Sequence, residues 1–236
     1  MSAYGKLYLL PVPISGAPNN NHIPPFNIQI IKNLKYFIAE DAKTARRFLK
    51  GFGFQPIENA DIMLLNEHTK GSELQELLKN LMHGHDTGLM SDAGCPGIAD
   101  PGADVVKLAH QKGIEVVPLV GPSAIVLSIM ASGFNGQNFA FIGYLPIDKS
   151  QKIKRIKEIE SFAVKQSQAQ FFIETPYRNI QLFETLLETL QPQTVLFIGK
   201  NITSDSQLLV AKSIAEWKKS QQPEMNKIPL VFGIYR

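Results

Sequence analysis

The stretch that decides the fold reads Ser91-Asp92-Ala93-Gly94-Cys95-Pro96-Gly97-Ile98-Ala99-Asp100-Pro101-Gly102. It follows a short apolar run at residues 88–90 and leads into a helical pattern at residues 103–112. Asp100 stands where a helix cap is expected, and Pro101 suits the first helical position. The glycines allow the backbone to approach a ligand closely. The stretch is therefore either a ligand-binding loop at the carboxyl end of a strand or a tight connection into a well-capped helix.

Short apolar runs alternate with helical patterns on both sides of this stretch. The pattern predicts strands at residues 7–10, 36–39, 88–90, 114–117, 139–142, 170–173, 194–198 and 230–234. It predicts helices at residues 42–50, 72–82, 103–112, 122–132, 149–165, 177–190 and 212–219. Such alternation is typical of βαβ units. We expect two tandem α/β domains, residues 1–120 with a mostly parallel sheet and residues 121–236 with a mixed sheet, and a cleft where they meet.

Composition limits the class of protein without naming it. The chain has 236 residues, of which 44% are hydrophobic, enough for the core of one large or two small domains. A net charge of +3 and a pI of about 8.8 neither require nor exclude a polyanionic partner. The single cysteine excludes an internal disulfide. Without a membrane-length apolar run or a secretory leader pattern, the chain is expected to be cytoplasmic and not to bind a membrane.

A second stretch of small residues has the same strand, turn and helix-start pattern. It reads Val116-Val117-Pro118-Leu119-Val120-Gly121-Pro122-Ser123-Ala124. Other short motifs precede and follow the two stretches in order. They are Leu7-Tyr8, Pro11-Val12-Pro13-Ile14, Ala39-Glu40-Asp41, Ala131-Ser132-Gly133, Gly143-Tyr144-Leu145-Pro146 and Glu174-Thr175-Pro176-Tyr177-Arg178.

Together these motifs resemble the tetrapyrrole methylase family of S-adenosylmethionine-dependent methyltransferases. The most similar branch methylates a cytidine 2′-hydroxyl in small-subunit ribosomal RNA. The resemblance implies a two-domain α/β fold with S-adenosylmethionine in the cleft, usually as a homodimer. It also implies which residues contact S-adenosylmethionine, the methyl donor. They are Pro11, Ser91, Asp92, Ala93, Gly94, Ile98, Gly121, Pro122, Ser123 and Ala124.

Methyl transfer to an alcohol also requires a group that removes the proton. The resemblance makes Glu40 and Asp41 the first candidates, with Glu174 and Arg178 next. Each pair has a structural alternative. Asp41 suits the cap of the helix at residues 42–50, and Glu174 is one helical turn from Arg178, which suits a buried ion pair.

Residues 149–157 form the concentrated basic segment of the chain. With Ile153, Ile156 and Ile159 on one helical face, the basic side chains are expected to point outward, where they would attract an RNA backbone. These side chains are Lys152, Lys154, Arg155 and Lys157. The alternative is a solvated surface helix.

Neither a nucleophilic cysteine nor a metal site is expected. Cys95 has no identifiable histidine partner, so a small residue in a tight loop is the favoured interpretation. The spacing of His68, His83 and His85 suits no standard metal site.

Four segments depart from the ribosomal RNA branch, all on the acceptor side of the resemblance. They are Pro13-Ile14-Ser15-Gly16, Glu40-Asp41-Ala42-Lys43, Lys200-Asn201-Ile202-Thr203-Ser204 and Lys227-Ile228-Pro229. The basic segment favours ribosomal RNA or the small ribosomal subunit as the partner. Two alternatives stay open at this point: a tetrapyrrole or other small-molecule methyltransferase, and a non-catalytic module that binds S-adenosylmethionine.

Overall fold

The computed structural model of the chain describes residues 4–14, 21–66 and 68–236. The backbone divides into two compact units, residues 1–123 and 124–236. The sequence placed this boundary three residues earlier, after residue 120. The sequence also predicts a polar, proline-broken loop at residues 17–25, and part of this segment lies outside the described residues, as do Ser15 and Gly16.

A five-stranded parallel sheet forms the centre of the first unit. Its order is β3-β2-β4-β1-β5, and each neighbouring pair is parallel. The strands are β1 (Leu7–Leu9), β2 (Tyr36–Ala39), β3 (Asp61–Leu64), β4 (Thr87–Met90) and β5 (Val116–Pro118). Because all five run the same way, the segments that follow β1, β2, β4 and β5 emerge at one edge of this sheet.

Helices cover both faces of the first sheet. They are α1 (Pro25–Asn33), α2 (Ala42–Gly51), α3 (Ser72–Glu76), α4 (Lys79–Met82) and α5 (Gly102–Gln111), with a 3-10 turn at Ile57–Asn59. Side chains alternate between the faces along a strand, so adjacent residues of β2 serve different cores. Phe37 packs with Ile31 of α1 and Leu49 of α2. Ile38 packs on the other side with Val105 of α5.

The second unit contains a mixed sheet of order β6-β7-β10-β8-β9. Strands β6 and β7 are parallel, and the remaining pairs are antiparallel. The elements are α6 (Ala124–Ser132), β6 (Phe139–Tyr144), α7 (Lys149–Lys165), β7 (Ala169–Ile173), α8 (Asn179–Thr189), β8 (Val195–Lys200), β9 (Leu208–Ser213), α9 (Ile214–Trp217) and β10 (Leu230–Tyr235). Phe172 joins the core beneath α7 and α8, while Phe171 joins the core beneath α6.

Sequence patterns missed three elements and joined two others. The helix α1 and the strands β3 and β9 were not predicted. The single helix predicted at residues 72–82 is two short helices, α3 and α4. The predicted helix at residues 212–219 begins two residues later, at Ile214, because β9 continues through Ser213.

Within the described part of the chain, no helix has both the length and the apolar character needed to cross a membrane.

Candidate functional site

Two loops at the carboxyl edge of the first sheet are joined by backbone hydrogen bonds. Residues 10–14 follow β1, and residues 91–101 follow β4, the neighbouring strand. Val12 N–H donates to the Gly94 carbonyl at 2.9 Å, and Gly94 N–H donates back at 3.2 Å. Gly94 has a φ of 75°, which a residue with a side chain adopts only at a cost. These two hydrogen bonds thus hold the glycine-rich stretch against residues 10–14, which follow β1.

A third loop, residues 119–123 after β5, closes against the same two. The Cys95 thiol donates to the Pro122 carbonyl at 3.3 Å. A Cβ added at Gly121 would lie 2.2 Å from the Cβ of Pro11, so only glycine fits this approach. The side chain of Asn27, which is 2% exposed, donates to the Val120 carbonyl at 2.7 Å. Asn27 was not predicted as a site residue, because α1 itself was missed.

Cys95 matches the small-residue interpretation. Its pKa is raised by burial and by the nearby Asp100 carboxylate, so the thiol stays protonated at neutral pH. The sulfur serves as a hydrogen-bond donor between two loops, and a nucleophilic role has no support here.

Asp100 organises the turn into α5. Its carboxylate accepts hydrogen bonds from the Gly97 N–H at 2.9 Å and the Gly102 N–H at 2.7 Å. The helix begins at Gly102, so Pro101 precedes it and is not the first helical residue as predicted. Pro101 takes the N-cap position and no side chain caps the helix there, so Asp100 supports the turn from one residue earlier than predicted. The structure thus shows a tight connection into α5, and the ligand-binding interpretation of the stretch stays a prediction.

The first two catalytic candidates follow β2 at this edge. Asp41 caps α2 by accepting the Thr44 N–H at 2.7 Å, and this bond lowers the pKa of Asp41. The structural alternative for Asp41 is thus what the structure shows. Glu40 accepts the backbone N–H of Asp92 at 3.3 Å and so links the end of β2 to the glycine-rich loop.

Asp92 is a partly buried carboxylate at this edge whose ionised form is disfavoured. Burial raises its pKa, and the negative charge of Asp41 raises it further, while Arg47 opposes both. A cation placed beside Asp92 would relieve this cost, because an opposite charge favours the ionised form. Among the described residues, no group of three or more acidic, histidine or cysteine side chains could hold a metal ion.

The charge and exposed apolar surface at this edge suit S-adenosylmethionine, which carries a sulfonium, an ammonium, a carboxylate and an adenosine group with an aromatic base. The acidic side chains Glu40, Asp41 and Asp92 lie at this edge, after β2 and β4, and place negative charge there. Ile98 is 47% exposed and Val120 is 78% exposed, so apolar surface is available at the same edge. Ser91 is buried, and its hydroxyl is used within the loop, donating to the Ala93 carbonyl at 3.1 Å.

The other two catalytic candidates form a buried ion pair in the second unit. Arg178 donates to Oε1 of Glu174 from Nη2 at 2.6 Å and from Nε at 3.0 Å. The side chain of Glu174 has no exposed surface, so it does not reach an acceptor directly. Burial raises the pKa of Glu174, but the bonds from Arg178 and from the Thr175 N–H outweigh it and leave the pKa below its usual value.

Lys152 corrects the prediction for the basic helix. Its side chain is 3% exposed and lies 3.7 Å from Oε2 of Glu174, so its predicted outward orientation is wrong and it does not contribute to an RNA-binding surface. The physical reason is the buried carboxylate, which requires a cation beneath α7. Lys154 and Lys157 are exposed as predicted, and Arg155 pairs with Glu158 at 2.7 Å.

The structure places nine of the ten predicted contacts with S-adenosylmethionine on the three joined loops. Those that precede Ala124 lie on the three joined loops of the first unit, while Ala124 is the first residue of α6 in the second. The predicted RNA-binding residues and the pair Glu174–Arg178 belong to the second unit.

Comparison with known proteins gives one consistent class. No protein-family model matches the chain. The chain is 30% identical over 202 residues to a ribosomal RNA small subunit methyltransferase I from Leptospira biflexa, covering 84% of this chain and 78% of that protein. It is 27% identical over 224 residues to the protein of the same name from Escherichia coli O157:H7, covering 94% and 74%.

Solved structures show the same fold at low identity. The methyltransferase CobJ superposes with a TM-score of 0.64 at 15% identity, covering 100% of this chain and 95% of that one. The uroporphyrin III C-methyltransferase from Thermus thermophilus gives a TM-score of 0.58 at 14% identity, with 98% of each chain covered. The predicted fold class, two tandem α/β units of the tetrapyrrole methylase type, is confirmed.

Proposed function

Because the chain belongs to the ribosomal RNA small subunit methyltransferase I family, we propose that it transfers a methyl group from S-adenosylmethionine to ribosomal RNA of the small subunit. The acceptor we propose is a cytidine 2′-hydroxyl, as the sequence motifs implied. The methyltransferase class and the use of S-adenosylmethionine, both predicted from those motifs, are confirmed by the named relatives.

One observation carries the donor side of this proposal: three loops joined at the carboxyl edge of a parallel sheet, next to a cluster of carboxylates. Ligands of open α/β sheets bind at this edge. The loops are held by the Val12–Gly94 hydrogen bonds and by the close approach of Gly121 to Pro11. A preorganised edge of this kind loses little freedom when a ligand binds.

Bound S-adenosylmethionine supplies an electrophilic methyl carbon on a sulfonium sulfur. The residues of the chain bind S-adenosylmethionine and orient it. We assign Asp92 to the cationic part of the donor, since its unfavourable charge is relieved there. The exposed side chains of Ile98 and Val120 provide apolar surface at this edge, and we assign them to excluding water from the path of methyl transfer.

Proton removal from the acceptor hydroxyl is assigned to Glu40. Asp41 is committed to the cap of α2, and its lowered pKa makes it a weak proton acceptor. Glu174 is enclosed by its partners and acts as a positioning residue for Arg178. Arg178 is about one-third exposed, so its guanidinium stays partly accessible to solvent.

The exposed cations of α7 support the proposal that the methyl acceptor is a polyanion. Lys154 and Lys157 lie on the solvent side of this helix and would contact phosphates. With such a substrate the chain acts in the cytoplasm, where ribosomal subunits are assembled.

A homodimer, implied by the resemblance, is part of the proposal. Met130 is 73% exposed and Val126 is 52% exposed on the largely apolar helix α6. Large apolar side chains grouped on a helix surface are typical of protein interfaces. Sedimentation equilibrium of the purified protein tests this directly, with a mass of twice 26.2 kDa expected.

The experiment that tests the proposed reaction offers three acceptors in parallel. Purified protein and methyl-labelled S-adenosylmethionine are incubated with undermethylated small ribosomal subunits, with protein-free ribosomal RNA, and with a reduced tetrapyrrole. Label in the RNA of the subunits is expected. Label in the tetrapyrrole alone would replace the proposal with small-molecule methylation, and donor binding without label in any acceptor would refute the acceptor class.

A further inference from the structure

Two exposed tyrosines lie at the edge of the second sheet that is formed by the carboxyl ends of β6 and β7. Tyr144 is the last residue of β6 and is 56% exposed, and Tyr177 is 76% exposed. Tyr144 pairs in register with Ile173, the last residue of β7. Since β6 and β7 are parallel, the segment that contains Tyr177 leaves the sheet at the edge where Tyr144 stands.

The segment that leads into β10 brings a lysine, Lys227, to the same edge. Strand β10 is antiparallel to β7, with Val231 opposite Ile173, so residues just before β10 lie here as well. Among these, Lys227 N–H donates to the Pro176 carbonyl at 3.1 Å. The ammonium of Lys227 lies 5.9 Å from the centroid of the Tyr177 ring. We call Tyr144, Tyr177, Arg178 and Lys227 the tyrosine edge.

Buried contacts hold the tyrosine edge in place. Asn179 is fully buried and donates to the Ile228 carbonyl at 2.7 Å, which ties the start of α8 to the segment of Lys227. Glu174 holds Arg178 through Nε and Nη2 and receives Lys152 on its other oxygen. Two cations around one carboxylate leave this cluster with a net positive charge, partly at the surface through Arg178.

The combination of exposed aromatic rings and fixed cations is suited to single-stranded RNA. Bases stack on aromatic side chains whatever their identity, and Lys and Arg contact the phosphates between them. Resting on the proposed function, we propose that the tyrosine edge binds a single-stranded segment of the substrate RNA. A base stacks on Tyr177, and Arg178 and Lys227 contact the adjoining phosphates.

The first test measures binding of a fluorescein-labelled, 12-nucleotide single-stranded oligoribonucleotide by fluorescence anisotropy, without S-adenosylmethionine. Tyr177→Ala should weaken binding about tenfold, because one stacked base is lost. Tyr177→Phe keeps the ring and should stay within about twofold of the wild type. The matched control is Phe139→Ala, at the opposite end of β6, where the ring is 45% exposed.

The second test separates the phosphate contact from the stacked base. Lys227→Gln should reduce the slope of log K against log salt by about 0.7, the value for one phosphate of a single strand. Lys165→Gln, at the far end of α7, should leave the slope unchanged. Thermal unfolding of each variant establishes that the fold is retained.

The outcomes judge the tyrosine edge separately from the reaction. Absence of wild-type binding to the oligoribonucleotide, or equal binding by the wild type and Tyr177→Ala, would overturn the proposed RNA contact even if small subunits are methylated. Equal losses in Tyr177→Ala and Tyr177→Phe would overturn the stacking. A loss confined to Tyr177→Ala supports the RNA contact, and failure of the wild type to methylate any RNA would then count against the proposed reaction alone.

Discussion

Replacement of Lys152 by methionine tests whether the buried carboxylate of Glu174 needs its second cation. Methionine keeps an unbranched side chain of similar length, so the packing beneath α7 is retained while the charge is removed. Oε2 of Glu174 is buried and makes no hydrogen bond within the described part of the chain, and the Lys152 ammonium at 3.7 Å is its ion-pair partner. The variant therefore removes the ion-pair partner of that oxygen, while Arg178 still pairs with Oε1.

The expected cost follows from the distance and the burial. Two unit charges 3.7 Å apart attract by about 4.5 kcal/mol at an effective dielectric constant of about 20. Breaking a buried pair on one side typically costs 3–5 kcal/mol. Since Arg178 still neutralises Glu174, we expect Lys152→Met to lower the free energy of unfolding of the second unit by about 3 kcal/mol.

The assay is urea unfolding followed by the fluorescence of Trp217. This is the only tryptophan of the chain, and it lies buried in the core of the second unit, where its indole N–H bonds the Leu196 carbonyl. Lys154→Met on the exposed side of α7 is the control and should stay within about 0.5 kcal/mol of the wild type. The double variant Lys152→Met/Glu174→Gln should be more stable than the sum of the two single changes predicts.

The cost should also depend on pH. The folded pKa of Glu174 lies below its usual value, so its ionised form contributes stability above that usual value and the contribution is lost as the pH falls through the folded pKa. The difference between wild type and Lys152→Met should thus be largest near neutral pH and shrink in acid. A difference below 1 kcal/mol at pH 7, with no coupling in the double variant, would refute the buried-pair reasoning.

Three further predictions concern the first-unit loops and α7. Gly121→Ala should lower the free energy of unfolding by about 1–3 kcal/mol, because its Cβ would stand 2.2 Å from the Cβ of Pro11; an unchanged unfolding midpoint would contradict the close approach. Asp92→Asn should weaken S-adenosylmethionine binding about tenfold in calorimetry, through loss of one charge contact, while thermal stability is retained; unaltered affinity would remove Asp92 from the donor site. Lys154→Glu with Lys157→Glu should weaken binding of ribosomal RNA at low salt and spare the donor, and survival of RNA binding would leave α7 as a solvated surface.

Regular, strongly patterned elements were predictable from the sequence. The bounds of β2 and α7 agree with the predicted residues 36–39 and 149–165. In β2 the apolar run is bounded by polar residues, and in α7 the side chain of Asp148 caps the helix by accepting the Gln151 N–H. Local signals of this kind act without knowledge of the tertiary fold.

Elements at sheet margins were less predictable. Strands β3 and β9 lie at the ends of their sheets, and each is partly exposed and has only one neighbouring strand to define it. The helix α1 begins at Pro25, a residue that the pattern assigned to a loop although proline is favoured at a first helical position. The capping box of Ser213 and Glu216 marks the true start of α9 and was readable in the sequence.

The candidate site shows the same division between local and tertiary signals. The loop stretches at residues 91–102 and 116–124 were recognisable because their glycines and prolines determine local backbone geometry. The partner of Lys152 was not, since Glu174 is 22 positions away along the chain. Lys152 is spaced four and seven residues from Ile156 and Ile159, which share the buried face of α7. This helical spacing was the signal that could have predicted an inward orientation for Lys152.

The most direct test of the central claim identifies the methylated nucleoside itself. Small ribosomal subunits lacking the modification are incubated with the protein and S-adenosylmethionine, and their RNA is digested to nucleosides and analysed by mass spectrometry. The account predicts 2′-O-methylcytidine, with the added mass on the ribose, and its loss with the Asp92→Asn variant at limiting donor. A methyl group on a base, or unmodified RNA beside a methylated tetrapyrrole, would contradict it.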